Sequence, residues 1–152
     1  MTDEPYELAL SALSHKERTE AELRAWLAGR EVSEAEIEEV IALLMEAGAI
    51  DDASFARRYA EDKRTLAGWG ADRISAALES RGVSRGQIEA ALEGEDDQAQ
   101  LRRAVVLLWD RGMSCEDERQ RERALGLLVR RGYPLELAYE AVRRAERLAD
   151  AA

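Results

Sequence analysis

The stretch ADRISAALESRGVSRGQIEAAL, residues 71–92, decides the fold. Its large apolar residues are Ile74, Leu78, Val83, Ile88 and Leu92, separated by four, five, five and four positions. A four-residue step keeps two side chains on one helix face, whereas the five-residue step crosses a break into a new helix. Gly82 stands at the break, where a helix C-terminus favours a residue that tolerates positive φ. Ser84 follows, and with Gln87 it has the spacing of a capping box. The stretch predicts helix, tight turn, helix.

The same spacing occurs twice more. Leu23, Leu27, Val32, Ile37 and Ile41 lie 51 residues upstream, and Ala124, Leu128, Tyr133, Ala138 and Val142 lie 50 residues downstream. Gly132 takes the place of Gly82, but Glu31 stands there in the first copy and predicts a less favourable turn. Ser33 with Glu36 and Thr19 with Glu22 are further capping boxes, and Pro134 suits a first helical turn, where no amide donor is required. Each pair follows another helix. Its apolar stripe reads Tyr6, Leu10 and Leu13 in the first copy; Phe55, Tyr59 and Leu66, after the cap candidates Asp51 and Asp52, in the second; and Leu101, Val105, Leu108 and Trp109 in the third. Helices are expected near 5–14, 19–29, 33–47, 52–67, 71–81, 84–93, 97–111, 116–131 and 134–149. They group into three three-helix, helix-turn-helix-like units at 1–50, 51–95 and 96–152. A unit of this size has a small core and gains by stacking on its neighbours. The expectation is an all-α fold, an elongated tandem array of three repeats.

Composition agrees. Of 152 residues, 46% are hydrophobic and 36% charged, enough apolar side chains to build cores. No run approaches the roughly 20 apolar residues of a membrane span, and the acidic start, with no apolar run after it, does not read as a signal peptide. A cytoplasmic protein without membrane contact is expected. The single cysteine, Cys115, excludes an internal disulfide and reads as a partly buried thiol. His15 is the only histidine and reads as a solvated residue at a helix junction, so no metal, no cofactor and no enzyme activity are expected. The net charge of −10 opposes a nucleic-acid-binding surface over the whole molecule. The charge is uneven, however: residues 1–51 hold 4 Lys/Arg against 13 Asp/Glu, and residues 97–152 hold 11 against 10.

The candidate interaction residues are therefore the basic ones of the second and third units. Arg57, Arg58, Lys63 and Arg64 lie on one predicted helix, followed by Trp69 on a Gly-flanked turn and then Arg73. A basic surface edged by an aromatic suits a protein or phosphate partner. The bland alternative is a solvated helix face with Trp69 covering core. Arg102, Arg103, Arg130 and Arg131 are basic doublets of the third unit; adjacent helix residues diverge by about 100°, so ordinary salt-bridged surface is their bland reading.

Three stretches resemble the RecX family, regulators of the bacterial recombinase RecA. They are ALSALSHKERTEAELR at 9–24, AIDDASFARRY at 49–59, and GWGADRI at 68–74 with Leu78 and Arg81-Gly82-Val83. The second is the most specific, matching a hydrophobic-D-D-x-x-F-A-x-x-Y pattern. Ala71, Glu31 and Arg81 depart from the proline, glycine and lysine usual at those places. The resemblance implies a three-repeat helical regulator active in DNA recombination, repair and the SOS response. It implies binding in the groove of the RecA–DNA filament and modulation, usually inhibition, of the ATPase, strand-exchange and coprotease activities. The charge gradient points to weak DNA contact through repeats 2 and 3, and a monomer is expected. The alternatives are a tandem helix-turn-helix DNA-binding protein and a helical-repeat protein adaptor.

Overall fold

The computed structural model describes residues 3–151, and among these every regular element is helical. The elements are α1 (Asp3–His15), α2 (Glu20–Ala28), α3 (Glu34–Glu46), α4 (Asp52–Ala67), α5 (Ala71–Ser80), α6 (Arg85–Ala91), α7 (Asp97–Asp110), α8 (Glu118–Arg130) and α9 (Leu135–Ala151). The starts are chemical. Thr19 and Ser33 close reciprocal capping boxes with Glu22 and Glu36, and Ser84 does so with Gln87. Asp117 with Gln120 adds a box that starts α8 two residues later than the periodicity implied. Each box satisfies donors that a helix N-terminus otherwise leaves open.

The chain divides into two compact units, Met1–Arg57 with Leu78–Ala90, and Arg58–Ala77 with Ala91–Ala152. In the first, α1, α2 and α3 enclose a core of Ala9, Ala12, Leu23, Leu27, Ile37, Val40, Ile41, Leu44 and Ile50. Full burial of a leucine such as Leu23 or Leu44 contributes roughly 1.5–3 kcal/mol. The stripe expected on α1 is corrected: Leu10 is 40% exposed, while Ala9 and Ala12 are buried. Small residues carry that face and let the helices approach closely.

The turn after α5 packs against the N-terminus of α2. The Thr19 hydroxyl donates to the Arg81 carbonyl at 2.7 Å, and the Arg81 guanidinium grips both oxygens of Glu22 at 2.9 and 3.0 Å. The Asp52 carboxylate, itself buried, accepts from the Glu20 amide at 3.0 Å. Gly82 has φ 83° here, and a Cβ on it would lie 2.5 Å from that of Ala21.

In the second unit α7, α8 and α9 surround Leu101, Ala104, Leu108, Ala124, Leu128, Tyr133, Ala138 and Val142, with Cys115 at the edge. Burial pushes the Cys115 thiol up. Two members of the expected stripes lie outside the core: Leu66, at the last turn of α4, is 84% exposed, and Trp109 is 65% exposed.

The first unit's joint recurs in the second. The turn after α8 packs against the N-terminus of α5: the amides of Gly70 and Asp72 donate to the carbonyls of Arg131 and Gly132 at 2.7 and 3.2 Å. The buried Gln100 accepts from the Ala71 amide at 3.0 Å, the part Asp52 plays toward Glu20. Gly132 has φ 93°, and a Cβ there would sit 2.5 Å from the Arg73 nitrogen. Both turn glycines are thus required twice, by dihedral and by closeness. Glu31 does adopt the left-handed conformation, at φ 63°, a strained state for a residue with a Cβ.

Candidate partner-binding surface

α4 ends at Ala67, and the positive φ of Gly68 turns the chain so that Trp69 folds back and its amide donates to the Lys63 carbonyl at 3.0 Å. The Trp69 ring then lies between two cations, Lys63 Nζ at 4.7 Å and the Arg73 guanidinium at 4.1 Å, with Tyr59 edge-on at 6.4 Å. Such stacking fixes long cationic side chains and holds their charge near the surface. Trp69 is half-buried, so it serves both as packing and as a rigid mount for the cations.

The carbonyls at the end of α4 are also taken. Arg131 Nη1 donates to the Ala67 carbonyl at 2.6 Å, and the Tyr133 hydroxyl to the Gly68 carbonyl at 2.7 Å. A cation here complements the negative end of the helix dipole. Arg103 donates through Nε to the Trp69 carbonyl at 3.1 Å and pairs with Glu95 at 2.5 Å. Glu95 also faces Arg64 Nε at 3.7 Å. Burial opposes the charge on Arg103, yet its hydrogen bond to Glu95 and its interactions with Tyr133 and the Glu95 charge together outweigh that and hold its pKa above the ordinary arginine value. Burial pushes the Tyr133 phenol up.

Arg131 is the opposite case. The pKa of Arg131 is lowered by burial and then by the like charges of Arg111, Arg73 and Arg130. Arg73 is tied to this neighbourhood, since its Nη1 donates to the Arg130 carbonyl at 3.0 Å. A chain of net charge −10 thus carries a local concentration of positive charge. Beside it an open groove of about 370 Å³ is lined by Arg64, Leu66, Arg103, Val106, Asp110, Arg111 and Arg131, among others.

The structure brings together Lys63, Trp69, Arg73, Arg130 and Arg131. Arg64 and Arg103 converge on Glu95 and form part of the groove wall. Arg57 and Arg58 are exposed on α4, and Arg102 is exposed on α7 away from the groove lining. Sequence reasoning missed Arg111, which reads as no more than a helix end before Gly112, and Glu95, whose partners are set by the fold. Among the described residues no group of three or more His, Cys, Asp or Glu is placed to hold a metal, and no helix is long and apolar enough to cross a membrane. His15 ends α1, exposed, with Nδ1 2.8 Å from the Ser11 carbonyl.

Residues 6–44 match the family model for the first three-helix domain of RecX, and residues 51–92 match that for its second. Regulatory protein RecX of Mycolicibacterium vanbaalenii is 34% identical over 144 residues, spanning 89% of this chain and 78% of the relative. The chain belongs to the RecX family. Regulatory protein RecX of Thermobifida fusca is 32% identical over 139 residues, 90% of this chain and 75% of its own. The crystal structure of RecX from Lactobacillus salivarius shares the fold, with a TM-score of 0.83 at 22% identity over 96% of this chain and 97% of that one. The chain is accordingly a member of a family of regulatory proteins.

The RecX-like segment at 49–59 now has a physical reading. Asp51 caps its own helix, accepting from the Ser54 amide at 3.0 Å, while Asp52 caps α2. Two adjacent carboxylates start two helices, which ties the pair to the fold rather than to a partner.

Proposed function

We propose that this protein regulates the RecA recombinase by lying in the groove of the RecA–DNA filament and inhibiting its ATPase, strand-exchange and coprotease activities. Membership of the RecX family supports the class of function, and the arginine cluster around Arg131 in an acidic chain is the observation that supports a binding surface. The partner-binding residues are Arg57, Arg58, Lys63, Arg64, Trp69, Arg73, Arg102, Arg103, Arg130 and Arg131. Lys63, Arg73 and Arg130 present charge outward, while Arg64 and Arg103 are held by Glu95. The building blocks are three repeats, at 1–50, 51–95 and 96–152, and the recurrence of one glycine-turn joint supports that division. The protein works in the cytoplasm as a monomer. Its acidic first repeat faces basic protein surface, and its later repeats lie nearer DNA. Weak contacts repeated along a helical polymer add through avidity.

The test is binding to RecA filaments and to naked single-stranded DNA across a salt series. The proposal predicts tight filament binding and weak binding to naked DNA. The charge reversals Arg73→Glu and Arg130→Glu should weaken filament binding and flatten its salt dependence. Equal affinity for naked DNA would point instead to a DNA-binding protein, and unchanged affinity in the variants would remove this surface from the account.

A further inference from the structure

The groove beside the arginine cluster carries more than charge. Leu66 is 84% exposed on its α4 wall and Val106 is 55% exposed on its α7 wall. Together they give the groove apolar surface directly beside its cations. Arg64 forms part of the wall, its Nε 3.7 Å from Glu95. Arg111 stands exposed at the C-cap of α7.

We infer that this groove binds an acidic, leucine-bearing peptide segment of a protein partner, its apolar side chain seated on Leu66 and Val106 and its carboxylates on Arg111 and Arg131. A carboxylate there pairs with Arg111 and Arg131 and answers the concentration of positive charge that Arg73, Arg111, Arg130 and Arg131 make together. Three features favour such a peptide over nucleic acid. No aromatic residue lines the groove for base stacking. Asp110 stands in the lining, where a phosphate backbone meets repulsion but a mixed peptide can place an apolar residue. The net charge of −10 repels a long polyanion more than a segment with two or three carboxylates.

This deepens the filament reading, since it names the chemistry by which one face takes a protein partner. The experiment needs no recombinase, so its failure and that of the filament reading are told apart. Fluorescence anisotropy of the full chain is measured with a labelled peptide of repeated Asp-Leu-Glu, with its Leu-to-Ser counterpart, and with an oligo-dT strand. The Leu peptide should bind about tenfold tighter than either control. Arg111→Glu and Leu66→Asp, both at exposed positions, should each weaken it about tenfold with helical circular dichroism unchanged. A Leu peptide that binds no better than its Ser counterpart, or equal binding by both variants, overturns the proposal. So does oligo-dT binding that is the tightest of the three and is lost in Arg111→Glu, which assigns the groove to nucleic acid.

Discussion

Replacing Gly132 with alanine should be among the most damaging small changes available to this fold. Gly132 has φ 93°, a conformation that costs an L-residue about 1–2 kcal/mol. The added Cβ would also meet the Arg73 backbone nitrogen at 2.5 Å and the Tyr133-side turn cannot yield without moving the start of α5. That movement breaks the bonds from the Gly70 and Asp72 amides to the turn, at about 1 kcal/mol each. The expected loss is about 3–4 kcal/mol, a large share of the roughly 5–15 kcal/mol of a typical domain. Gly112→Ala is the control: its φ is 63°, but nothing lies within 4 Å of the new Cβ, so only the dihedral cost of about 1–2 kcal/mol applies. Glu31→Gly completes the set with the opposite sign, stabilising by about 1 kcal/mol because a residue already at φ 63° loses its strain. Urea unfolding followed by far-ultraviolet circular dichroism reads all three. If Gly132→Ala costs no more than Gly112→Ala, the close packing of turn on helix is not what requires glycine there, and the joint argument fails.

Other outcomes follow from the same contacts. Burial and then the charges of Glu20, Glu22 and Asp51 raise the Asp52 pKa, while its bond to the Glu20 amide works the other way. A raised acid pKa in the folded state means that the native protein binds the proton more readily. Stability from this group therefore falls as pH rises from the ordinary carboxylate value through the folded one. Asp52→Asn keeps the acceptor oxygen and should flatten that slope in pH-dependent melts, whereas Asp52→Ala should cost about 1 kcal/mol by leaving the Glu20 amide open. For Glu22, burial acts to raise the pKa, but the bonds to Arg81 and the Thr19 amide prevail and lower it. Its contribution is present above the ordinary carboxylate value and is lost as pH falls through the folded one. Glu22→Gln should cost about 0.5–1 kcal/mol in a urea titration near neutral pH, because the pair is partly solvated. Reversing both Arg73 and Arg130 should lower filament affinity most at low salt, as read by co-sedimentation.

Much of the fold was legible because helix periodicity and capping chemistry are local. Thr19, Ser33 and Ser84 begin helices where their boxes place them, and α4 spans the expected 52–67. The recurring apolar positions are buried except Val32 and Leu92, which are half-buried. What misled was size. On α1 the covered face runs through Ala9 and Ala12, so Leu10 turns outward; on α7, Leu108 is covered and Trp109, about 100° further round, is not. Leu66 shares a face with Phe55, but periodicity reports the face and not whether a neighbour covers that turn. The surface was less legible than the core. Arg64 and Arg103 read as part of a basic partner-binding surface, with no sign of which carboxylate they would meet, and the fold gives them Glu95. Arg111 looked like punctuation, and the fold sets it beside Arg131. Charge clusters built from distant segments leave no local spacing to read.

The reading as a recombinase regulator meets its most direct test in a titration of this protein into RecA assembled on single-stranded DNA, with ATP hydrolysis as the readout. Hydrolysis should fall as the protein is added, and the Arg73→Glu, Arg130→Glu double variant should need markedly more protein for the same fall. Hydrolysis that stays constant through a stoichiometric excess would contradict it.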